Sequence, residues 1–190
     1  QSIFKELLDD SVPTETRNKS WYYLAKLYYQ KGDIQSAVKN LARIKGSVPR
    51  DIAEEFNYLA TLINIENKHL TAVEQALEFV GKDSAYEPYL LFNLAVTQLV
   101  NGEEEKSKEN LQKVVDFSQS NSKEEFLVLA DRAKQALAHI YIQKNDLLGA
   151  WQHLQNVRTT GLYSNRALLS YGWTAIKLKR YQQAIPALRA

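Results

Sequence analysis

The chain has 190 residues, 24% of them charged and 45% hydrophobic, with a formal net charge of +2. It contains no cysteine, which excludes disulfides, cysteine zinc sites and thiol catalysis. No apolar run approaches the ~18 residues of a membrane span, and no secretory or lipidation pattern is present. The absence of methionine, even at position 1, leads us to expect an excised segment or a processed form.

The opening Ile3-Phe4-x-x-Leu7-Leu8 reads as the second helix of a repeat whose first helix is missing, closed by Pro13. After it, one spacing recurs five times. A small residue is followed seven positions later by a turn residue and twelve positions later by another small residue. The small pairs are Ala25/Ala37, Ala60/Ala72, Ala95/Ser107, Ala138/Ala150 and Gly172/Ala184. The turns are Gly32, Asn67, Gly102, Asn145 and Lys179, and successive pairs are 35, 35, 43 and 34 residues apart. A period near ~34 residues built from helix, turn and helix is the sequence signature of a helical-repeat array.

Apolar residues three, four and seven apart share one helix face, so each repeat lays down a packed stripe. The first repeat reads Trp21-x2-Leu24-Ala25-x2-Tyr28, Ala37-x3-Leu41 and Pro49. In the second we find Phe56-x2-Leu59-Ala60-x2-Ile63 with Ala72-x3-Ala76, and in the third Leu91-x2-Leu94-Ala95-x2-Gln98 with Ser107-x3-Leu111. The fourth has Lys134-x2-Leu137-Ala138-x2-Tyr141 with Ala150-x3-Leu154, and the fifth Leu168-x2-Tyr171-Gly172-x2-Ala175 with Ala184-x3-Leu188. This pattern resembles the tetratricopeptide superfamily along about the whole chain. The resemblance implies an all-α, right-handed α-α superhelical solenoid of helical hairpins that serves as a protein-interaction scaffold. The expected organisation is a single array over 1–190: a tail at 1–13, repeats at about 18–51, 53–86, 88–121 and 123–164, and a truncated one at 165–190. The native chain is expected to continue in both directions.

Helix starts are expected from the capping-box patterns Asp51-x-x-Glu54 and Ser122-x-x-Glu125, from Ser164 ahead of the fifth repeat, and from Pro88 in the first turn of the third. The eight extra residues between the third and fourth repeats are expected in a longer first helix from about Lys123 to Gln143, projecting by roughly two turns of ~5.4 Å. A longer loop is the alternative.

In the resembled architecture the first helix of each hairpin lines the concave groove. Counting off the packed stripe assigns Lys19, Tyr22, Lys26 and Tyr29 to it, then Glu54, Asn57, Thr61 and Asn64. Tyr89, Phe92, Val96 and Leu99 follow, then Arg132, Gln135, His139 and Ile142, and finally Arg166, Leu169, Trp173 and Lys177. Five bases (Lys19, Lys26, Arg132, Arg166, Lys177) face one acid, Glu54, so this face is more basic than the chain as a whole. An extended acidic protein or peptide segment would suit it, held by arginine forks and by Tyr22, Phe92 and Trp173 as apolar anchors.

One mode in the superfamily grips a terminal carboxylate with lysines, asparagines and an arginine. Tyr22, Lys26, Tyr58, Tyr89 and Asn93 stand at those positions here, so that mode is not expected. No cofactor, metal or catalytic residue is expected. His69, His139 and His153 lack converging ligands, and phosphate loops and nucleophile elbows are missing. Helical RNA readers need a repeated polar code, which Tyr22, Asn57, Phe92, Gln135 and Leu169 do not form. RNA binding therefore stays only as an alternative.

The segment from Val157 to Leu169, followed by Gly172-Trp173, is not demanded by the generic repeat. It is similar to a group of uncharacterised bacterial envelope-associated tetratricopeptide proteins. That similarity implies a bacterial periplasmic or membrane-associated scaffold, with a regulator of a cell-wall or secretion enzyme as the alternative reading.

Overall fold

The computed structural model describes residues 6–79 and 84–189; Ile3 and Phe4 of the expected opening helix lie outside them. Among the described residues all regular structure is helical. The chain divides into two compact units, Gln1–Leu90 and Leu91–Ala190.

In the first unit α1 (Thr14–Gln30) and α2 (Ile34–Leu41) form a hairpin, followed by α3 (Ala53–Glu66) and α4 (Leu70–Phe79). Its core joins Tyr22, Ala25, Ala37, Ile52, Leu59 and Ile63. The second unit takes α5 (Glu87–Val100) from Leu91 onward, with α6 (Glu104–Ser120), α7 (Glu124–Gln143), α8 (Leu147–Leu154), α9 (Ser164–Lys177) and α10 (Tyr181–Arg189).

The small residues mark where paired helices cross. Ala25, Ala37, Ala95, Ser107 and Ala150 are wholly buried, because a larger side chain would hold the two backbones apart. Ser107 stands where other repeats have alanine, and its hydroxyl donates to the Ala95 carbonyl at 2.7 Å, so no buried polar atom is left unpaired. At Gly172 an added Cβ would lie 2.5 Å from the Leu188 side chain, which accounts for glycine there.

The first helix of each hairpin ends in a left-handed residue: Gly32, Lys68, Gly102, Asn145 and Lys179, with φ between 59° and 83°. Each closes the same pair of hydrogen bonds. Asp33 N–H reaches the Tyr28 carbonyl and Gly32 N–H the Tyr29 carbonyl, as Arg180 reaches Ala175 and Lys179 reaches Ile176. This double closure satisfies carbonyls that the helix end would orphan.

Four of these five positions coincide with the expected turn residues, but the second repeat is displaced by one. Lys68, not Asn67, takes the left-handed conformation, and Thr61 and Val73 are the buried pair while Ala60 and Ala72 are half-buried. The pairs then step by 36 and 34 residues instead of 35 and 35, with Thr61 hiding its hydroxyl by donating to the Asn57 carbonyl at 2.7 Å. Alanine count alone cannot see this, because threonine can fill a crossing when its hydroxyl is internally paired.

The displacement has a measurable consequence. Lys68→Gly should stabilise by about 0.5–1 kcal/mol by relieving a left-handed β-carbon, whereas Asn67→Gly should stabilise nothing. Thermal denaturation of both variants checks this, and the reverse ranking would restore the original register.

The capping expectations need correction. Neither Asp51 nor Ser122 caps: α3 follows a 3-10 turn at Arg50–Ile52, and the residue ahead of α7, Lys123, makes no side-chain cap. Ser164 instead donates to the Gly161 carbonyl at 2.8 Å. Side-chain caps appear on the second helices, where Asp33 accepts from Ser36 N–H and Asp146 from Gly149 N–H. Pro88 does lie in the first turn of α5.

The extra residues are shared between two helices. α7 begins at Glu124, close to the expected start, but α6 is also long, at 17 residues against 8 in α2 and α8. The extension is therefore a packed antiparallel pair and not a lone projecting helix. Phe126, 1% exposed, meets Phe117 edge-on at 5.1 Å between its two arms.

Candidate partner-binding cleft

Each unit places the expected groove residues differently. In the first unit Tyr22 is 1% exposed, packed against Tyr23 and Phe56, and donates its hydroxyl to Glu55 at 2.9 Å. Lys26 joins the same carboxylate at 3.2 Å. The Tyr22 and Lys26 hydrogen bonds hold the Glu55 carboxyl below its usual range, while burial first and Glu55 second push the Tyr22 phenol up. Lys19 is engaged by Asp51 at 2.8 Å and Glu15 at 3.1 Å.

Lys19 and Lys26 are thus both neutralised locally, and Tyr22 is core instead of a free anchor. Tyr29 is half-buried. The displaced register brings Glu55 and Tyr58, in place of Glu54 and Asn57, into line with Tyr22 and Lys26, and Tyr58 stacks on Tyr86 at 4.8 Å. Asn57 is exposed and its side chain is off that line, and Thr61 is buried at the crossing.

The second unit is different. Phe92 is 7% exposed and serves as a platform: the Arg132 guanidinium lies 4.6 Å from its ring centre and 5.7 Å from that of Tyr163. Gln135 donates to the Tyr163 carbonyl at 2.8 Å, so α7 grips the segment that leads into α9. Two aromatic faces hold Arg132 without neutralising it. Among the described residues no acid pairs with Arg132, Arg166 or Lys177.

Arg132, Gln135, His139, Tyr163 and Arg166 line a cleft of about 510 Å³ whose walls carry no acidic side chain. His139 Nε2 is 3.1 Å from the Gln143 amide nitrogen. On α9, Leu169 and Trp173 are 54% and 59% exposed, and Lys177 is exposed one turn further on. The structure thus brings together Arg132, Gln135, His139 and Arg166, with Leu169, Trp173 and Lys177 on the adjoining helix.

A cavity of similar volume, lined by apolar groups including Val157, Leu168, Tyr171 and Pro186, opens between α8, α9 and α10. Its one cation, Arg158, is already held by Asp131 and Glu124, so it offers a charged ligand little.

That Arg158 contact escaped sequence reasoning. Asp131, 4% exposed, accepts from Arg158 Nε at 2.6 Å and from its backbone N–H at 3.3 Å. Asn18 does the same for Lys45 N–H at 3.2 Å, and both spans are 27 residues. Each polar residue sits seven positions before the crossing alanine and ties down the loop that follows the second helix. The available signal was a polar residue recurring at one repeat position, on what should be an apolar stripe.

Among the described residues no group of three or more metal-capable side chains converges, and no helix is long and apolar enough to cross a membrane. A family model described as tetratricopeptide repeat matches residues 19–50, which cover most of α1 and all of α2. Residues 19–50 are thus a tetratricopeptide repeat. Its structure resembles the apo form of RapI with a TM-score of 0.79 at 15% identity, covering 99% of this chain and 56% of RapI. The chain therefore spans little more than half the length of that protein. It also resembles BtubC from P. vanneervenii, with a TM-score of 0.65 at 13% identity over 99% of this chain and 84% of BtubC. A third likeness is to nearly identical repeats of a putative kinesin light chain from Podosopora anserina, with a TM-score of 0.60 at 16% identity over 94% of both chains. At such identities these likenesses establish the fold. No curated protein sequence matches the chain significantly.

Proposed function

We propose that the array is a non-enzymatic protein-interaction scaffold whose second unit holds an extended acidic segment of a partner in the cleft between α7 and α9. The observation that carries this reading is the set of cations left without acids: Arg132 and Arg166 line an acid-free cleft and Lys177 is exposed at the end of α9, while Lys19 and Lys26 of the first unit are already paired. An arginine stacked on aromatic rings keeps its fork free for a carboxylate, and an exposed tryptophan beside it gains apolar burial on binding. The five-cation groove read from sequence thus contracts to three.

Selection from a random peptide library on the immobilised protein tests the reading. Enriched sequences should be net acidic and carry at least one large apolar residue. Trp173→Ala should then weaken their binding by roughly 2 kcal/mol, and Arg166→Ala should weaken it more at low salt than at high salt. Enrichment of basic sequences, or binding indifferent to both substitutions, would refute it. Retention of RNA in place of peptide, abolished by ribonuclease, would refute it in favour of a nucleic-acid reader.

A further inference from the structure

The cleft has a register as well as a charge. At 100° per residue, positions seven and eleven apart on a helix come back to within about 20° of the same line. On α9 those positions are Arg166, Trp173 and Lys177, all exposed; on α7 they are Arg132, His139 and Gln143, also exposed. Arg166 and Arg132 are separated by one 34-residue repeat, as are Trp173 and His139, and Lys177 and Gln143. Of these, Arg132, His139 and Arg166 line the cleft, and Trp173, Lys177 and Gln143 continue the two rows along their helices. Each row begins with an arginine, in the first turn of α9 but midway along α7, continues with a ring and ends at the last residue of its helix in Lys177 or Gln143.

Along α9 the helical rise places Trp173 about 10 Å and Lys177 about 16 Å from Arg166. An extended chain advances about 3.3 Å per residue, so those intervals correspond to three and five residues of a ligand. We infer that the cleft reads spacing: the partner segment carries an acidic residue opposite the Arg132/Arg166 pair, a large apolar residue three positions on against Trp173, and a second acid five positions on at Lys177. Arg132 fixes the end point, because Phe92 and Tyr163 hold its guanidinium from two sides. The inference deepens the proposed function and rests on it.

Isothermal titration with octapeptides blocked at both ends separates the two. The matched peptide has glutamate, leucine and glutamate at its second, fifth and seventh positions, with alanine and glycine elsewhere. Its reverse-order counterpart covers the opposite chain direction. One comparison peptide moves the leucine to the fourth position at unchanged composition, and another to the sixth. The matched spacing, in one direction, should bind about tenfold more tightly than either comparison peptide, and Trp173→Ala should erase that advantage. Equal affinity for all spacings would overturn the inference while leaving acidic-segment binding intact. No binding by any of these peptides or by blocked octaglutamate would overturn the proposed function along with it.

Discussion

Phe126→Ala should cost the second unit about 3–5 kcal/mol in urea denaturation, the largest loss expected of any single truncation considered. Phe126 is 1% exposed and meets the Phe117 ring edge-on at 5.1 Å, between the lengthened ends of α6 and α7. Leu129 of α7 and Val114 and Val115 of α6 are buried as well. Truncation therefore leaves a cavity inside a packed two-helix arm, where collapse is restrained from both sides. Were the extra residues a solvated projection, the same change would cost less than about 1 kcal/mol. Lys123→Ala, at the exposed rim of the same ring, serves as the control and should fall within about 0.5 kcal/mol of the parent protein.

Arg158→Ala is expected to cost about 3 kcal/mol, because it strands a buried carboxylate. Asp131 is 4% exposed and takes its shortest hydrogen bond, 2.6 Å, from Arg158 Nε. Removing one partner of a buried pair leaves the other charge uncompensated, a loss of ~3–5 kcal/mol. The lower end applies here, since the Arg158 side chain retains 28% exposure and Lys134 stands 3.7 Å from Asp131 as a partial substitute. Glu124→Ala removes the outer partner, whose side chain is 72% exposed, and should cost below about 1 kcal/mol. Asp131→Asn, which keeps an acceptor for the Arg158 backbone N–H, should recover part of the loss. A double-mutant cycle on Asp131 and Arg158 isolates their coupling, and a coupling near zero would mean that the loop is held by packing alone.

The fold was legible because a crossing of two helices tolerates only small residues, and small residues at fixed spacing survive as a pattern in one sequence. The second repeat broke that rule. Thr61 occupies the crossing by pairing its hydroxyl with Asn57, so a polar residue played a part that spacing assigned to Ala60. Caps were misplaced for a related reason: Asp51 and Ser122 have the right chemistry at the right distance, but Asp51 is drawn to Lys19 across the hairpins. Side-chain pairs between repeats are invisible to a reading made one helix at a time.

The candidate site residues were legible only in the second unit. Arg132, Arg166, Trp173 and Lys177 could be read from the helical face because nothing nearby neutralises or covers them. Tyr22 and Lys26 share that face, yet Glu55 from the next repeat turns one into core and the other into half of an ion pair. Phe92 failed as an anchor for the opposite reason. It is the platform on which Arg132 rests.

Amide-shift mapping of the second unit with an enriched acidic peptide tests the central claim most directly. The account predicts perturbations that follow the exposed line of α9 through Arg166, Trp173 and Lys177 and cross to Arg132 and His139 on α7, and that vanish in Arg132→Ala/Arg166→Ala at unchanged fold. Perturbations confined to the outer helices α6, α8 and α10, or a peptide that still binds the double variant with undiminished affinity, would contradict it.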